Sequence, residues 1–330
     1  MEEALGALRR LSSGAGGEGA VFRAAAVVAA AALAPPRARA PALAAGEQDV
    51  AAEGAEGEPP GSDDDDDDDR GEGACDSVSS ELHAWGRAAN YQLGFGIAGG
   101  EQPVPRPVPF PKGTVIRSVA CGQFHSLAVA ASGAVFAWGF NGGTSRLGVD
   151  APDGAPPPKF VVEPLALVEF GPGRHVAVKA AAGANHSLVV TSAGRLFAWG
   201  SNANGQLGVQ GLAAGEGVQT RRPQVVKAPW KVEAVCDAAA GAAHSLCVTE
   251  TGAVFVWGSN AGGGLGLGAP PAGPAETASP QQLPHLRGAA AVVAAGSVSV
   301  VLAAHGDAVI FGALAAPKAG AAADPRAFLP

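Results

Sequence analysis

Aromatic side chains make up only 5% of the 330 residues, while Gly (48) and Pro (26) are abundant. Such a chain packs small side chains between tight turns, which excludes long helices over most of its length. No apolar run is long enough to cross a membrane as a helix. The best candidate, Ala24 to Ala34, is eleven residues, against about 20 for a span. The four cysteines, Cys75, Cys121, Cys236 and Cys247, show no C-x-x-C spacing and no histidine at ligand distance in sequence, which points to reduced thiols in the cytosol or nucleus. There is no G-x-x-x-x-G-K-[ST], and the Gly-rich "GSNAGGGLGLG" lacks the helix that makes a phosphate cradle. No cofactor is expected.

Clustered basic charge is missing too. The net charge of −8 divides unevenly: residues 1–78 hold 17 acidic and 6 basic residues, net −11, leaving 13 acidic and 16 basic, net +3, for 79–330. That balance argues against nucleic acid as a partner. Seven consecutive aspartates, Asp63 to Asp69, lie among Gly and Glu without apolar periodicity, so 1–78 reads as a disordered, self-repelling leader. Arg9 and Arg10 before the Ala-rich run, and "RARAPALAAGE" after it, leave organelle targeting as a second reading of the same segment. Asn185-His186-Ser187 has the form of a glycosylation acceptor and is read as coincidence.

What the chain does have is self-similarity. "VACGQFHSLAVAASGAVFAWGFNGGTSRLG" (119–148), "AAGANHSLVVTSAGRLFAWGSNANGQLG" (181–208) and "AAGAAHSLCVTETGAVFVWGSNAGGGLGLG" (239–268) repeat one pattern, and "AAGSVSVVLAAHGDAVIFGAL" (294–314) repeats it weakly. His125 to Trp138, His186 to Trp199 and His244 to Trp257 are each 13 residues apart, as are Val298 and Phe311. Gly133, Gly194, Gly252 and Gly306 fall eight residues after the His slot, and Gly139, Gly200, Gly258 and Gly312 follow the aromatic. The distance from each aromatic to the next His slot varies, which is the mark of strands joined by loops.

Within a unit, "HSLVV" and "RLFAWG" flank a Gly-bearing turn and read as a hairpin, preceded by another strand in "VIRSVACG", "HVAVKAAAG" and "KVEAVCDAAAG". Three or four short antiparallel strands per unit make a propeller blade, which buries its faces only by stacking on neighbours. The sequence therefore predicts an all-β fold, with a β-propeller over 79–314 and a disordered tail over 315–330. The pattern G-x-x-H-S-L-x-V-T-x-x-G-x-x-x-x-W-G-x-N-x-x-G-Q-L-G resembles the regulator of chromosome condensation repeat (RCC1-type), whose propellers usually have seven blades. "LHAWGRAANYQLGFG" (82–96) matches its second half through Trp85, Gly86, Asn90, Leu93 and Gly94, with Tyr91 in a Gly slot. Three clear hairpins, one degenerate hairpin and this orphan strand are too few for seven blades, and four to five are expected.

Each Trp is expected at a blade junction, each following Gly where a Cβ would clash, and each histidine in a structural hydrogen bond inside its own blade. A shared metal site is disfavoured, because equivalent histidines are separated by a whole blade. Ser126, Ser187 and Ser245 follow the histidines directly and so point to the opposite face of the strand, which argues against a hydrolase. The resemblance implies a non-catalytic scaffold for protein partners, with contacts on the segments 97–114, 149–175, 209–230 and 269–288. Arg221, Arg222, Lys227 and Lys231 beside Trp230 form the candidate contact. A second implied function is guanine-nucleotide exchange on a Ran-like small GTPase, with Asp150 and Asp153 as loop carboxylates. A third is chromatin association through histones, or service as a ubiquitin-ligase adaptor. No small-molecule substrate and no membrane partner are expected.

Overall fold

His125 pairs with Gly139, His186 with Gly200, His244 with Gly258 and Val298 with Gly312, so the thirteen-residue cadence is the span of one hairpin ladder. Its rigidity has a steric origin, since slipping the register by one residue would turn every inward side chain outward. In the computed structural model, residues 81–96, 99–149, 156–167, 175–227, 233–268 and 274–313 are described. The 1–78 leader and the 315–330 tail lie outside them, as do Asp150, Asp153, Trp230 and Lys231.

The described residues form five sheets in chain order. β1 (His83–Arg87) and β2 (Glu101–Pro107) make a two-stranded piece. Three complete four-stranded blades follow: β3 (Ile116–Cys121), β4 (His125–Ala130), β5 (Val135–Phe140) and β6 (Phe160–Leu167); then β7 (Ala177–Ala182), β8 (His186–Thr191), β9 (Leu196–Ser201) and β10 (Gln219–Val225); then β11 (Val235–Ala240), β12 (His244–Thr249), β13 (Val254–Ser259) and β14 (Glu276–Gln282). A three-stranded blade, β15 (Ala289–Ala295), β16 (Val298–Ala303) and β17 (Ala308–Gly312), closes the series. All pairings are antiparallel, and the result is a propeller arrangement of four to five blades.

One expectation needs correction. The segments 97–114, 149–175, 209–230 and 269–288 are not only loops, because β2, β6, β10 and β14 lie inside them as outer strands. Those strands carry Pro and polar residues (EQPVPRP, QTRRPQV, ETASPQQ), a composition that reads as loop. Their position explains it, since Pro is tolerated on edge strands and at irregularities, and the registers shift between Thr220 and Gln224 and between Val256 and Gly258.

The first strands of neighbouring blades lie against each other, β3 on β7, β7 on β11 and β11 on β15. β8 and β12 are buried on both faces along their whole length, which is why they read as continuous rather than alternating apolar runs. One seam joins Leu188, Leu196 and Ala198 to Cys247, Phe255 and Trp257; another joins Leu127, Val129 and Leu147 to Val189 and Trp199. The turn glycines knit the same seams. Gly133, Gly194 and Gly252, all at positive φ, accept backbone N–H bonds from Ala177, Val235 and Ala289 of the next blade. A Cβ on Gly133 or Gly252 would lie 2.6 to 2.9 Å from that blade's Val176 or Gly288.

The two ends of the series differ from its middle. Trp85 is 56% exposed and Ile310 is 68% exposed, and a Cβ on Gly306, the last turn glycine, would meet open space.

Candidate functional site

The repeated residues converge on the seams. His125 Nε2 lies 2.8 Å from Ser187 Oγ, His186 Nε2 2.9 Å from Ser245 Oγ and His244 Nε2 2.9 Å from Ser299 Oγ. Each bond crosses to the next blade, whereas the sequence suggested a bond within one blade. The serine hydroxyls donate onward to the carbonyls of Arg146, Gln206 and Gly264. With the hydroxyl proton committed, the serine oxygen accepts, so the imidazole donates from Nε2. The Arg146 and Gln206 carbonyls also accept from the indoles of Trp199 and Trp257 at 2.9 and 2.8 Å. Gln92 does the same for Ser126 and Trp138. Trp138, Trp199 and Trp257 are 3%, 0% and 0% exposed, so the junction expected of each Trp is one carbonyl holding an indole and a hydroxyl of the following blade.

The glycine three residues before each histidine makes this possible. A Cβ at Gly122 would come within 2.7 Å of the His125 ring. At Gly183 and Gly241 it would strike the rings of His186 and His244 and the next blade's backbone. Burial drives His125 and His186 down to about 3 and His244 to about 4, with the Arg146 charge adding to the effect at His125. Among the described residues Nδ1 of His125 and of His186 has no hydrogen-bond partner, so a second proton there would be a buried, unanswered charge. The imidazoles are neutral at physiological pH, and the His–Ser pairs sit where no substrate reaches.

Asparagine fixes the turn that presents each carbonyl. Asn141, Asn202 and Asn260 accept from the backbone N–H of Leu147, Leu207 and Leu265 through Oδ1, and those leucines are fully buried anchors. A further tie spans three blades. Asp237 on β11 pairs with Lys179 of β7, while its carboxylate accepts from Ala238 N at 2.6 Å and from Val292 N of β15 at 3.1 Å. Burial still raises its pKa despite Lys179, so the ion pair offsets only part of the desolvation. Removing the carboxylate leaves Val292 N–H without its acceptor. Asp237→Ala is expected to cost about 3 kcal/mol or more, read as a fall in the denaturant midpoint, and Asp237→Asn less.

A second cluster lies at turns and strand ends within the first two sheets. Tyr91, Phe160, Phe140 and Phe124 form a ladder with successive centroid separations of 5.3, 5.2 and 6.2 Å. Arg146 stacks on Phe124 and Phe140 at 5.0 and 4.9 Å, and Lys159 sits 5.7 Å from the Phe160 centroid. All four rings are half-buried. Burial lowers Arg146 to about 10; it donates to Thr144 Oγ1, Ala184 O and Gly142 O. Tyr91 (φ 59°) and Ser145 (φ 52°) hold a left-handed backbone where the other units place Gly205 and Gly263, a strain that clusters at sites of function. Next to the ladder is a cleft of about 610 Å³ lined by Phe140, Ser145, Pro156, Pro157, Lys159 and Arg221.

The predicted contact residues are therefore redistributed. Arg221 faces the cleft, and Arg222 follows it on β10, also exposed, within the register irregularity between Thr220 and Gln224. Lys227 is exposed beyond the strand, and Trp230 and Lys231 lie outside the described residues. Sequence reasoning missed Lys159, the aromatic ladder and Arg146. The available signal was departure from the repeat: Tyr91 in a Gly slot, and Arg146 where the other copies have Gln92, Gln206 and Gly264.

Comparison with known proteins gives the family. The RCC1-like domain matches residues 74–326. Human HERC6, a probable E3 ubiquitin-protein ligase, is 32% identical over 235 residues, 70% of this chain and 21% of its own length. The Arabidopsis thaliana ultraviolet-B receptor UVR8 is 31% identical over 196 residues, 59% of this chain and 41% of its own length. Among solved structures, human WBSCR16 aligns with a TM-score of 0.60 at 25% identity, covering 70% of this chain and 61% of its own. Prp20p of Saccharomyces cerevisiae, described with its binding to Gsp1p and histones, aligns with a TM-score of 0.57 at 28% identity, covering 70% and 54%. The chain thus spans well under two thirds of these curated relatives. The blade pattern, the carbonyl-anchored seams and the match over 74–326 all lead to one assignment: this chain belongs to the RCC1-like domain family of β-propellers.

Proposed function

We propose that the chain is a non-catalytic protein-binding scaffold whose recognition surface is the cleft lined by Lys159 and Arg221 together with the Tyr91–Phe160–Phe140–Phe124 ladder. The observation that carries this reading is the division of labour among residues. The repeated His, Ser, Trp, Asn and Gly residues are consumed in the seams, whereas the ladder departs from the repeat, holds left-handed backbone at Tyr91 and Ser145, and leaves its rings half-exposed. Half-buried aromatics beside two cations suit a peptide segment carrying acidic and apolar residues. The occupant is thus an acidic protein segment rather than a small metabolite.

A Lys159→Glu/Arg221→Glu variant tests this. Both side chains are exposed, so thermal stability is expected to hold while client proteins recovered by quantitative affinity capture fall about tenfold or more. An unchanged client set would remove the cleft from the function. The similarity to Prp20p supports a second reading, exchange on a Ran-like GTPase; faster nucleotide release from such a GTPase in the presence of the purified chain would favour it. Placement in the nucleus or cytoplasm accords with either reading.

A further inference from the structure

The turn after β5 leaves backbone donors bare that its counterparts satisfy. β9 and β13 end on Ser201 and Ser259, whose hydroxyls accept from Ala203 N–H at 3.3 Å and from Ala261 N–H at 3.2 Å. Two of the turns also carry a glutamine whose Oε1 answers a further N–H: Gln206 takes that of Asn204 at 2.8 Å, and Gln92 that of Asn90 at 2.7 Å. In the turn over 141–147 the serine slot holds Phe140 and the glutamine slot holds Arg146, and neither side chain is an acceptor. Asn141 still orders this turn through Leu147, but among the described residues the N–H groups of Gly142 and Gly143 find no acceptor.

Those two glycines border the cleft, which Ser145, Lys159 and Arg221 line with them. Gly143 is exposed at φ 76°, and a Cβ there would meet nothing within 4 Å, so its backbone is open to a ligand. At Gly142 a Cβ would instead lie 2.6 Å from the Phe140 ring, which sets the turn directly against the aromatic wall. Lys159 stands just before β6 and Arg221 on β10 of the next blade. Both are exposed, and neither is ion-paired among the described residues. Arg146, 4.9 Å from the Phe140 centroid, adds a third positive charge, while the described lining holds no carboxylate.

We infer that the cleft takes a phosphate monoester, the phosphorylated serine or threonine of a partner's segment. The inference rests on the scaffold reading above and sharpens its acidic segment to a phosphorylated one. Donors arrive from three separate places, the 142–143 turn, the approach to β6, and β10. A carboxylate offers two coplanar oxygens, which a single guanidinium fork satisfies. A phosphate monoester offers three oxygens in a pyramid and a charge of about −1.5 to −2 at pH 7, which suits donors from several directions and cations that no described carboxylate neutralises. Successive backbone N–H groups at a left-handed glycine form the concave cradle that anions occupy. Phe140 and Pro157 on the same lining give the residues flanking the phosphate an apolar contact.

The test titrates the full chain with three peptide pools, randomised around a central phosphoserine, serine or glutamate and otherwise matched. The phosphoserine pool is expected to be retained about tenfold or more over the other two. Lys159→Met/Arg221→Met is expected to bring it down to the serine level with thermal unfolding unchanged. In amide NMR spectra the phosphoserine pool is expected to move the Gly142 and Gly143 signals downfield. No preference for phosphoserine over glutamate, or a preference that leaves those two amide signals in place, would overturn the phosphate site. The scaffold reading fails separately. Clients that depend on Lys159 and Arg221 but bind equally after phosphatase treatment would keep the scaffold and remove the phosphate, whereas clients indifferent to both cations would remove both.

Discussion

Acidification from pH 7 to 4.5 is expected to weaken this propeller far more steeply than its few described carboxylates would. His125 and His186 titrate at about 3 and His244 at about 4 in the folded protein, against about 6.5 when unfolded. The folded values are depressed for a base, so the unfolded chain binds protons first as pH falls below 6.5. Stability is fully present above 6.5 and is lost progressively as pH falls, down to about 4 for His244 and about 3 for His125 and His186. Each histidine contributes a slope of about 1.4 kcal/mol per pH unit in that window, so three approach about 4 kcal/mol per unit. Denaturant unfolding followed by Trp fluorescence from pH 7.5 to 4.5 measures it. His186→Gln is expected to start less stable at neutral pH and to lose one proton's worth of slope; an unaltered slope would show that the seam histidines are not the titrating groups.

The hairpins were legible because every element of the pattern does steric work at a fixed offset. The His slot, the turn glycine and the Trp-Gly pair are set by ladder register, so insertion or deletion inside them is not tolerated. The inward-facing first strands were legible for the same reason. The outer strands were not: β2, β10 and β14 are edge strands rich in Pro and polar residues, and edge position removes the alternation on which strand reading depends. The partners of the histidines were also hidden, because the meeting of His125 with Ser187 depends on which blade faces which, information that no single unit contains. The recognition surface was half legible. Arg221 was singled out from its charge, but Lys159 and Pro157 reach the same cleft only because the segment leading into β6 folds back along β5.

The same dipeptide, Trp-Gly, is expected to be indispensable in one blade and nearly neutral in another. Trp199→Ala removes a fully buried indole packed among Leu147, Ala180 and Val189 and takes one of two donors from the Arg146 carbonyl, leaving Ser187 alone on it. The vacated volume lies between two sheets held at fixed separation by backbone bonds, so collapse into it is limited and the cost is about 3–5 kcal/mol, or roughly 8 °C or more in Tm for a domain of this size. Trp199→Phe keeps most of the volume and forfeits the N–H, for about 1 kcal/mol. Trp85 has the same sequence context but is 56% exposed, and a Cβ on the adjoining Gly86 would meet nothing within 4 Å, because no blade precedes it among the described residues. Trp85→Ala is expected to shift stability by under about 1 kcal/mol. Thermal unfolding of the three variants side by side decides the point: a Trp85→Ala loss as large as that of Trp199→Ala would mean that the first sheet is covered in solution by another part of the chain or by a second copy.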